Sequence, residues 1–517
     1  MLKTAYSQRL FDVVLTKNRK SCNVKKSGLK LFALDRIFCK VLVKKHNEND
    51  YNLVIWCIAK DAIVCYNEAI QNRRVRKTIY DLHGRKGVVT MAKNTNTALR
   101  NQVIYSIYVR NHSEEGTFRA VEQDLDRIQS LGVDIIWLMP IHPIGVKNKK
   151  GELGCPYAIR DYRAINPEYG TMENFRALVD AIHAKGMKCI IDVVYNHTSP
   201  DSWLVEHHPE YFYKKDGKMG NKVGDWGDVV DLDYTNLDLW NYQIETLKMW
   251  AQMVDGFRCD VAPLVPIDFW MKARAEVAEV NPDCIWLSES VEPSFITFNR
   301  AQGFVAHSDC EVYAAFDMLY DYDIFESFKG YVTGQLPLSR YAEAVNQQEY
   351  IYPANYVKLR YLENHDQKRA KAWIPDEQNL FNWTAFLYFQ KGATLLYAGQ
   401  ETENDHTPSL FDYDRVNWNT GHDLSAYFRT LYSIKKHPLL TDSSYHIAAD
   451  DANNIAVATH TKGDAKLVGV FSFHSQSAEA DVPLEDGVYT NLLDNQQVTV
   501  QNGKLHCSGM PIILEKE

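Results

Sequence analysis

The strongest constraint on the fold is a repeated alternation of short apolar runs with amphipathic helical segments between residues 100 and 436. The first unit shows the pattern, because 103–110 is apolar and β-branched, 117–131 has helical spacing and 132–140 is again apolar. Strands that alternate with helices pair in parallel and connect by right-handed crossovers. Further strands are predicted at 187–195, 256–261, 284–290, 314–317, 357–366 and 393–401.

Eight such strands close most naturally into a (β/α)8 TIM barrel, assigned to residues 91–436. A doubly wound open sheet is the alternative, but no GxGxxG loop follows an early strand. Residues 198–236 form an unusually long crossover rich in Gly, Asp, Tyr and His, which predicts a short insertion domain after the third strand. After residue 436, short alternating segments between turn residues predict a C-terminal antiparallel β-sandwich over 437–517.

Charge and proline content change abruptly near residue 90. Residues 1–90 hold 19 Lys and Arg against 7 Asp and Glu, a net charge of +12, whereas 91–517 hold 38 against 59, a net charge of −21. All 17 Pro lie in the second part. The basic N-terminal extension is either a small domain that binds an acidic partner, or upstream sequence read from a misplaced start codon before Met91. The second interpretation is favoured, because 1–90 show no turn punctuation or clean periodicity.

The whole-chain composition argues against several classes of protein. A net charge of −9 is unfavourable for sequence-independent binding of nucleic acid. No apolar run reaches the roughly 18 residues of a membrane span, and the N-terminus has no apolar region of secretory length. The 10 Cys include no CxxC pair and are expected to be reduced thiols. We therefore expect a cytoplasmic protein with no nucleic-acid or membrane partner, while its oligomeric state stays open.

Polar side chains gather at the predicted carboxyl ends of four strands, where barrel enzymes carry their active sites. A lone Asp at such a place is often a loop cap, but convergence of a whole set favours a functional site. Three carboxylates without an obvious set of metal ligands suggest glycoside chemistry, in which a carboxylate nucleophile works with a carboxylic acid that later becomes a base. The three carboxylates are Asp260, Glu289 and Asp366, and the rest of the set comprises Asp192, Asn196, His197, Arg258, Asn364 and His365.

The context of each side chain suggests its role. Asp260 is the nucleophile candidate, because Arg258 lies two residues earlier on the same strand face and can hold it ionised. Glu289 ends a hydrophobic strand, which predicts a raised pKa suited to an acid. His197 and His365 can donate hydrogen bonds to sugar hydroxyls.

These strand ends resemble the four signature regions of the α-amylase family of glycoside hydrolases. GVDIIWLMPIHP resembles the family's second strand, GATLLYAGQE its eighth, and PYAIRDYRAINPEYGT the segment that places a tyrosine against the sugar being cleaved. The resemblance covers roughly residues 100–517. It implies a retaining α-glycosidase that cleaves α-1,4-glucosidic bonds in malto-oligosaccharides or fragments of glycogen or starch. The implied partner is an α-glucan oligosaccharide substrate.

The resemblance also implies roles for individual residues. Asp260 is implied as the nucleophile, Glu289 as the acid/base and Asp366 as the third carboxylate, which grips sugar hydroxyls in the distorted transition state. Asp192 is expected to be structural, holding the geometry of its strand end. Trp226 is either a sugar-stacking platform or a loop anchor. Substrate binding is assigned to Tyr157, His197, Arg258, His365, Asn196 and Trp226.

The sequence departs from the family directly after the implied nucleophile. Many α-amylases carry a Lys-His pair there that reaches the leaving-group sugars, whereas residues 261–264 read VAPL. Short malto-oligosaccharides are therefore expected to be better substrates than long glucans. Many relatives also hold a structural Ca²⁺ with a ligand at the Asn196 position. No cofactor is expected to be required, and no metal ligand is assigned. Oxygens for a calcium ion could come from Asp225, Asp228, Asp231 and Asp233, although a solvated acidic loop explains these residues at least as well.

Two alternative functions stay open. A transglycosylase or sugar phosphorylase of the same family shares the covalent intermediate and differs in what intercepts it. A non-catalytic carbohydrate-binding or scaffold homologue would keep the fold without the activity. The presence of all three carboxylates argues against this last alternative.

Overall fold

A computed structural model describes residues 95–223 and 226–516 and, before residue 95, the backbone of five strands. Two compact units make up the chain, Met1–Thr90 and Met91–Glu517. The six cysteines in the described ranges of the second unit are free.

The first unit contains a five-stranded antiparallel sheet in which each strand pairs with the next one along the chain. Sequence patterning does not indicate these strands, because segments such as LVIWCIA are continuously apolar and no Pro separates them. The strands are Leu29–Leu34, Ile37–Asn47, Asp50–Ala59, Ala62–Ala69 and Arg76–Tyr80.

The second unit contains a closed barrel of eight parallel strands, which confirms the predicted TIM barrel. The last strand pairs with the first, with Leu395 opposite Ile104. Apart from Lys188, every strand residue is buried, which explains why the apolar runs are continuous rather than alternating. In chain order the barrel strands are Val103–Ile107, Ile135–Leu138, Lys188–Val193, Gly256–Cys259, Ile285–Ser288, Met318–Tyr320, Val357–Arg360 and Ala393–Tyr397.

The helices bury the faces that sequence periodicity predicts. Helix Met172–Ala184 begins with a capping box, in which Thr171 and Asn174 each accept the other's backbone amide through their side chains. Its buried residues are Phe175, Leu178, Val179 and Ile182. The other helices are Val109–His112, Phe118–Gln123, Leu125–Ser130, Trp203–His207, Leu237–Trp250, Ile267–Val277, Pro293–Ala301, Asp309–Val312, Tyr322–Val332, Leu338–Ile351, Ala370–Trp373, Glu377–Phe389 and Ser425–Lys435.

The sixth barrel strand lies later in the chain than predicted. The expected strand at 314–317 is wrong, because these residues form the turn that leads into Met318–Tyr320. The Asp317 carboxylate accepts the backbone amide of Trp286 at 3.0 Å and a hydrogen bond from Arg274 at 2.6 Å, so it ties this turn to neighbouring elements. As a result Tyr320, rather than Asp317, stands at the carboxyl end of the strand.

The long crossover after the third strand has little regular structure in its described residues. His197–Thr198 pairs with Val230–Asp231, and Lys214–Lys215 pairs with Lys218–Met219, both antiparallel. Gly224 and Asp225 lie outside the described residues, and so does the expectation that Asp225 could supply an oxygen to a calcium ion.

The C-terminal segment forms two four-stranded antiparallel sheets, as predicted. Their facing side chains share one apolar core, which includes Val457, Val468, Leu505 and Leu514. Across residues 95–223 and 226–516, no helix has both the length and the apolarity that a membrane crossing requires. The strands are Ser444–Asp450, Ile455–Lys462, Ala465–Ser472 and Ile512–Lys516 in one sheet, and Ala478–Asp481, Gly487–Thr490, Gln497–Gln501 and Lys504–Cys507 in the other.

Candidate active site

The barrel brings acidic side chains of neighbouring strands together at its carboxyl end. Arg258 on the fourth strand is paired with Asp192 on the third. Asp260 follows directly after the fourth strand and Glu289 directly after the fifth, and both residues are only 6% exposed. Parallel register therefore places three carboxylates around one cationic side chain.

Arg258 is the common partner of these three carboxylates. Its Nη1 lies 2.8 Å from Oδ1 of Asp192 and 2.9 Å from Oδ1 of Asp260. Its Nη2 lies 3.0 Å from Oε1 of Glu289. The Arg258 side chain is fully buried, so these ion pairs are shielded from solvent. One guanidinium is thus shared by three carboxyl groups.

Burial and neighbouring charges together raise the pKa values of Asp260 and Glu289. Burial raises the pKa of Asp260 to about 6, although Arg258 opposes the rise. Burial also raises the pKa of Glu289 to about 8, against Arg258 and with help from the charges on Asp260 and Asp366. Sequence reasoning expects Arg258 to hold Asp260 ionised; Arg258 does lower the pKa of Asp260, and desolvation, which raises it, is the larger effect. The raised pKa of Glu289 agrees with the prediction. Near pH 7 one carboxyl is mainly ionised and its neighbour mainly protonated.

Asp366 stands at the more open side of the site, beside a histidine. His365 Nε2 lies 3.0 Å from Oδ2 of Asp366 and 2.8 Å from the hydroxyl of Tyr157. That hydroxyl donates to Oδ2 of Asp192 at 3.2 Å, and the rings of Tyr157 and His365 stack with their centroids 5.4 Å apart. Desolvation raises the pKa of Asp366, but the charge on His365 and its hydrogen bond outweigh it and leave the pKa below its ordinary value.

The remaining predicted substrate contacts lie along the third strand end and the insertion. His197 is buried, and desolvation lowers its pKa, so the neutral ring is favoured. Asn196 is buried beside it, with its Nδ2 3.2 Å from Nδ1 of His197. The half-buried Trp226 packs at 5.4 Å from the His197 ring and at 6.3 Å from the Phe295 ring. The predicted site residues thus form two contact groups. Arg258, Asp260, Glu289, Tyr157, His365 and Asp366 are joined by direct contacts, and Asn196, His197 and Trp226 form a second chain of contacts.

Val261, directly after Asp260, has an unusual backbone conformation. Its φ of 35° and ψ of 41° lie in the left-handed region, which is costly for a β-branched residue. In this conformation its backbone N–H donates to Oε2 of Glu289 at 2.8 Å. The strained peptide therefore ties the residue after one carboxylate to the other carboxylate.

Three aromatic rings enclose Arg258, and sequence reasoning identified one of them, Tyr157, but not Trp137 or Tyr320. Its guanidinium carbon lies 5.1 Å from the Trp137 ring centroid, 5.5 Å from that of Tyr157 and 5.4 Å from that of Tyr320. Arg258 Nε also donates to the Tyr320 hydroxyl at 3.3 Å. The misplaced sixth strand hid Tyr320, since the strand's true carboxyl end was the signal that would have found it.

Three of the four acidic residues considered for calcium, Asp228, Asp231 and Asp233, lie in the described ranges, and each has a protein partner. Asp228 pairs with Lys150 Nζ at 2.9 Å, Asp231 accepts the backbone amide of Lys222 at 2.6 Å, and Asp233 accepts the amide and hydroxyl of Thr235 at 3.0 and 2.8 Å. These contacts are those expected of a structured acidic loop.

A different group of potential metal ligands lies in the described ranges. Single ligand atoms of Glu377, Glu403 and His422 fall within 4.8 Å of one another. Lys371 Nζ stands 2.6 Å from Oε2 of Glu403, so an ammonium already neutralises the buried member of this group. The group contains none of the predicted site residues.

Family comparisons place the whole second unit among known enzymes. The family model described as "Alpha amylase, catalytic domain" matches residues 92–438, and the "Bacterial Alpha amylase C-terminal domain" model matches residues 446–514. A crystal structure of an alpha-amylase from Lactobacillus plantarum is 46% identical, has a TM-score of 0.80, and covers 82% of this chain and 100% of that chain.

Two curated relatives have names that indicate different activities. The "Alpha-amylase MalA" of Haloarcula japonica is 27% identical over 77% of this chain and 61% of that protein. An "Alpha-1,4-glucan:maltose-1-phosphate maltosyltransferase" of Rhodospirillum rubrum is 34% identical over 36% of this chain and 31% of that protein. The chain therefore spans less than two thirds of the length of either.

Proposed function

The chain belongs to the α-amylase family of glycoside hydrolases, and from that premise we propose that it cleaves α-1,4-glucosidic bonds in malto-oligosaccharides or fragments of glycogen or starch. The cleavage retains configuration through a glycosyl ester on Asp260. The observation that carries this proposal is one buried guanidinium shared by Asp260 and Glu289, whose pKa values of about 6 and about 8 differ in the direction that a nucleophile and an acid need.

In the proposed reaction, Asp260 attacks the anomeric carbon while Glu289 gives its proton to the departing glycosidic oxygen. Glu289, now a carboxylate, then takes a proton from the incoming water as that water displaces Asp260 from the sugar. Asp366, with His365 and Tyr157 beside it, holds hydroxyls of the reacting glucose. Its exposed side chain supports this role, since 42% of it is accessible to solvent.

Incubation with maltoheptaose, followed by chromatography of the products, tests the hydrolase proposal. Proton NMR of the first products should show the α-anomer, because two inversions at the anomeric carbon restore the starting configuration. Immediate formation of the β-anomer would contradict the role of Asp260. The absence of any product would instead favour a carbohydrate-binding or scaffold protein.

Transfer of the glycosyl group to an acceptor other than water is the second candidate function. The name of the Rhodospirillum rubrum relative, a maltosyltransferase, favours it. Water, a sugar hydroxyl and phosphate can all intercept the same glycosyl ester. The maltoheptaose reaction is therefore repeated with added phosphate, and with maltose 1-phosphate as the donor. Elongated oligosaccharides identify a transferase, and a sugar phosphate formed from maltoheptaose identifies a phosphorylase.

We further propose that short malto-oligosaccharides are processed better, per molecule, than soluble starch. The segment after Asp260 is apolar and buried: Val261 and Leu264 belong, with Val291, to one buried cluster, against which Trp226 packs. Each missing hydrogen bond to a leaving-side sugar removes roughly 0.5–1.5 kcal/mol. Values of kcat/KM for maltotriose, maltoheptaose and amylose measure the preference. A steady rise through amylose, with internal cleavage, would contradict it.

Activity is proposed to reside in residues 91–517. Support comes from the family models, which match residues 92–438 and 446–514, and from the first barrel strand, which begins at Val103. A chain that begins at Met91 should therefore fold and keep full activity on maltoheptaose. Inactivity of this shorter chain beside an active full-length protein would overturn the proposal.

A further inference from the structure

We propose that Tyr320, at the end of the sixth barrel strand, is a positioning residue that fixes the plane of the Arg258 guanidinium so that its two terminal nitrogens face Asp260 and Glu289. The inference rests on the proposed function and extends it to a residue that does not touch the substrate. Arg258 is the cation that contacts both reacting carboxyls, Asp260 and Glu289.

The contacts of Arg258 divide into directional and non-directional ones. The rings of Trp137, Tyr157 and Tyr320 surround the guanidinium carbon at 5.1–5.5 Å, which favours the cation without fixing its rotation. Nη1 donates to Asp260 at 2.9 Å and Nη2 is ion-paired with Glu289 at 3.0 Å, and both of these carboxyls must change charge during the reaction. Two directional contacts go to groups that do not react: Nη1 also donates to Asp192 at 2.8 Å, and Nε donates at 3.3 Å to the Tyr320 hydroxyl, which keeps its proton throughout. Because the Asp192 contact holds only one end of the guanidinium, the Nε contact is needed to fix its rotation about that end.

The backbone of Tyr320 is itself held from the outer side of the barrel. Its carbonyl oxygen accepts a hydrogen bond from Lys358 Nζ at 3.2 Å, and Tyr320 pairs with Leu359 on the seventh strand. Lys358 is fully buried and also binds Asp309 and Asp323. Tyr320 therefore offers a hydroxyl of fixed position to Arg258, as a positioning group requires.

The charge around Arg258 determines the expected direction of a pH effect. The titratable groups that face it are Tyr157, Asp192, Asp260, Glu289, Tyr320, His365 and Asp366. Arg258 lowers the pKa of both Asp260 and Glu289. If the guanidinium loses its Nε partner and rotates, both carboxyls lose part of this stabilisation. Both pKa values then rise, and both limbs of the pH profile move to higher pH.

Tyr320→Phe tests the proposal, and Tyr361→Phe is its matched control. Tyr361 is also buried, its ring lies 5.8 Å from that of Tyr320, and its hydroxyl has no hydrogen-bond partner among the described residues. Both changes remove one buried phenolic oxygen from neighbouring rings, but only Tyr320→Phe removes a contact to Arg258. Full-length wild type and both variants are assayed on maltoheptaose from pH 4.5 to 9.5, with thermal unfolding measured alongside.

The expected result for Tyr320→Phe is a shift of both limbs of kcat/KM toward alkaline pH by about half a unit, which corresponds to roughly a threefold loss on the acidic limb. Tyr361→Phe should leave both limbs in place. A lower kcat at every pH with unmoved limbs, equal shifts in both variants, or failure of Tyr320→Phe alone to fold would each overturn the proposal. A wild type without activity on maltoheptaose would count against the proposed function instead.

Discussion

Two buried ion clusters lie near one another in the barrel and differ in charge balance. In the Arg258 cluster, one guanidinium meets Asp192, Asp260 and Glu289. Its excess negative charge stands at the carboxyl ends of the strands, where a substrate can reach it.

The Lys358 cluster has two cations for three carboxylates. Lys358 binds Asp309 and Asp323, and Arg360 Nη1 binds Asp321 at 2.7 Å. Gln348 adds hydrogen bonds to Asp321 and Asp323, both at 2.9 Å. The side chains of Lys358 and Arg360 leave the seventh strand on the side opposite to Leu359, away from the barrel axis.

The difference teaches how to separate a functional cluster from a structural one. Burial alone does not distinguish the two clusters, because the side chains of Arg258 and Lys358 are both fully buried. Position and charge balance together do: Asp260 and Glu289 stand at the carboxyl ends of the strands with one cation for three carboxyls, and desolvation there raises their pKa values to about 6 and about 8. Substitutions should therefore affect activity in the Arg258 cluster and stability in the Lys358 cluster.

Asp260→Asn should have the largest effect on activity. The amide cannot form the glycosyl ester, so kcat on maltoheptaose should fall by at least about a thousandfold while the fold is kept. Activity is followed by product chromatography, and folding by the melting temperature. If more than a few percent of wild-type activity remains, Asp260 is not the nucleophile.

Glu289→Gln should be severe on natural substrates and mild on activated ones. General acid catalysis contributes about 10²–10⁴-fold, but a leaving group such as fluoride needs no proton from the enzyme. The ratio of kcat values on α-maltosyl fluoride and maltoheptaose measures this difference. Equal losses on the two substrates would show that Glu289 does not act as the acid.

Arg360→Met should lower stability and leave chemistry intact. Removing one partner of a buried ion pair leaves Asp321 uncompensated and costs about 3–5 kcal/mol. Urea unfolding measures the loss, while kcat is compared with wild type well below the melting temperature. The double variant Arg360→Met with Asp321→Asn should recover part of the stability. A drop in kcat without a drop in stability would erase the distinction between the clusters.

The smallest predicted effect is a gain of stability in Glu289→Gln that depends on pH. The folded-state pKa of Glu289, about 8, lies above the ordinary 4.5, so the folded protein binds this proton more tightly than the unfolded chain does. Its contribution is thus fully present below about pH 4.5 and is lost as pH rises toward 8. The variant cannot ionise, so it should melt a few degrees higher than wild type at pH 8 and nearly with it at pH 5. An equal difference at both pH values would argue against the raised pKa.

Sequence reasoning predicted the barrel well and its sixth strand badly, for identifiable reasons. Continuous apolar runs reveal buried parallel strands such as Ile285–Ser288, and the residue after each strand then follows directly, as with Glu289. Such runs do not reveal where a turn ends, so the sequence pattern places Asp317 in the sixth strand and leaves Tyr320 outside it. The balance between burial and Arg258 at Asp260 depends on three-dimensional packing, which the spacing of residues in a sequence does not contain.

The backbone at Val261 has a consequence for how the site can change over time. Asp260 is joined to Val261 by a peptide bond, and the amide of Val261 holds Glu289, so the two carboxyls form one rigid linkage. Glycine would fit the left-handed conformation with less strain, yet its freedom would loosen that linkage. Evolution toward greater stability and evolution toward faster turnover therefore pull in opposite directions at this single position.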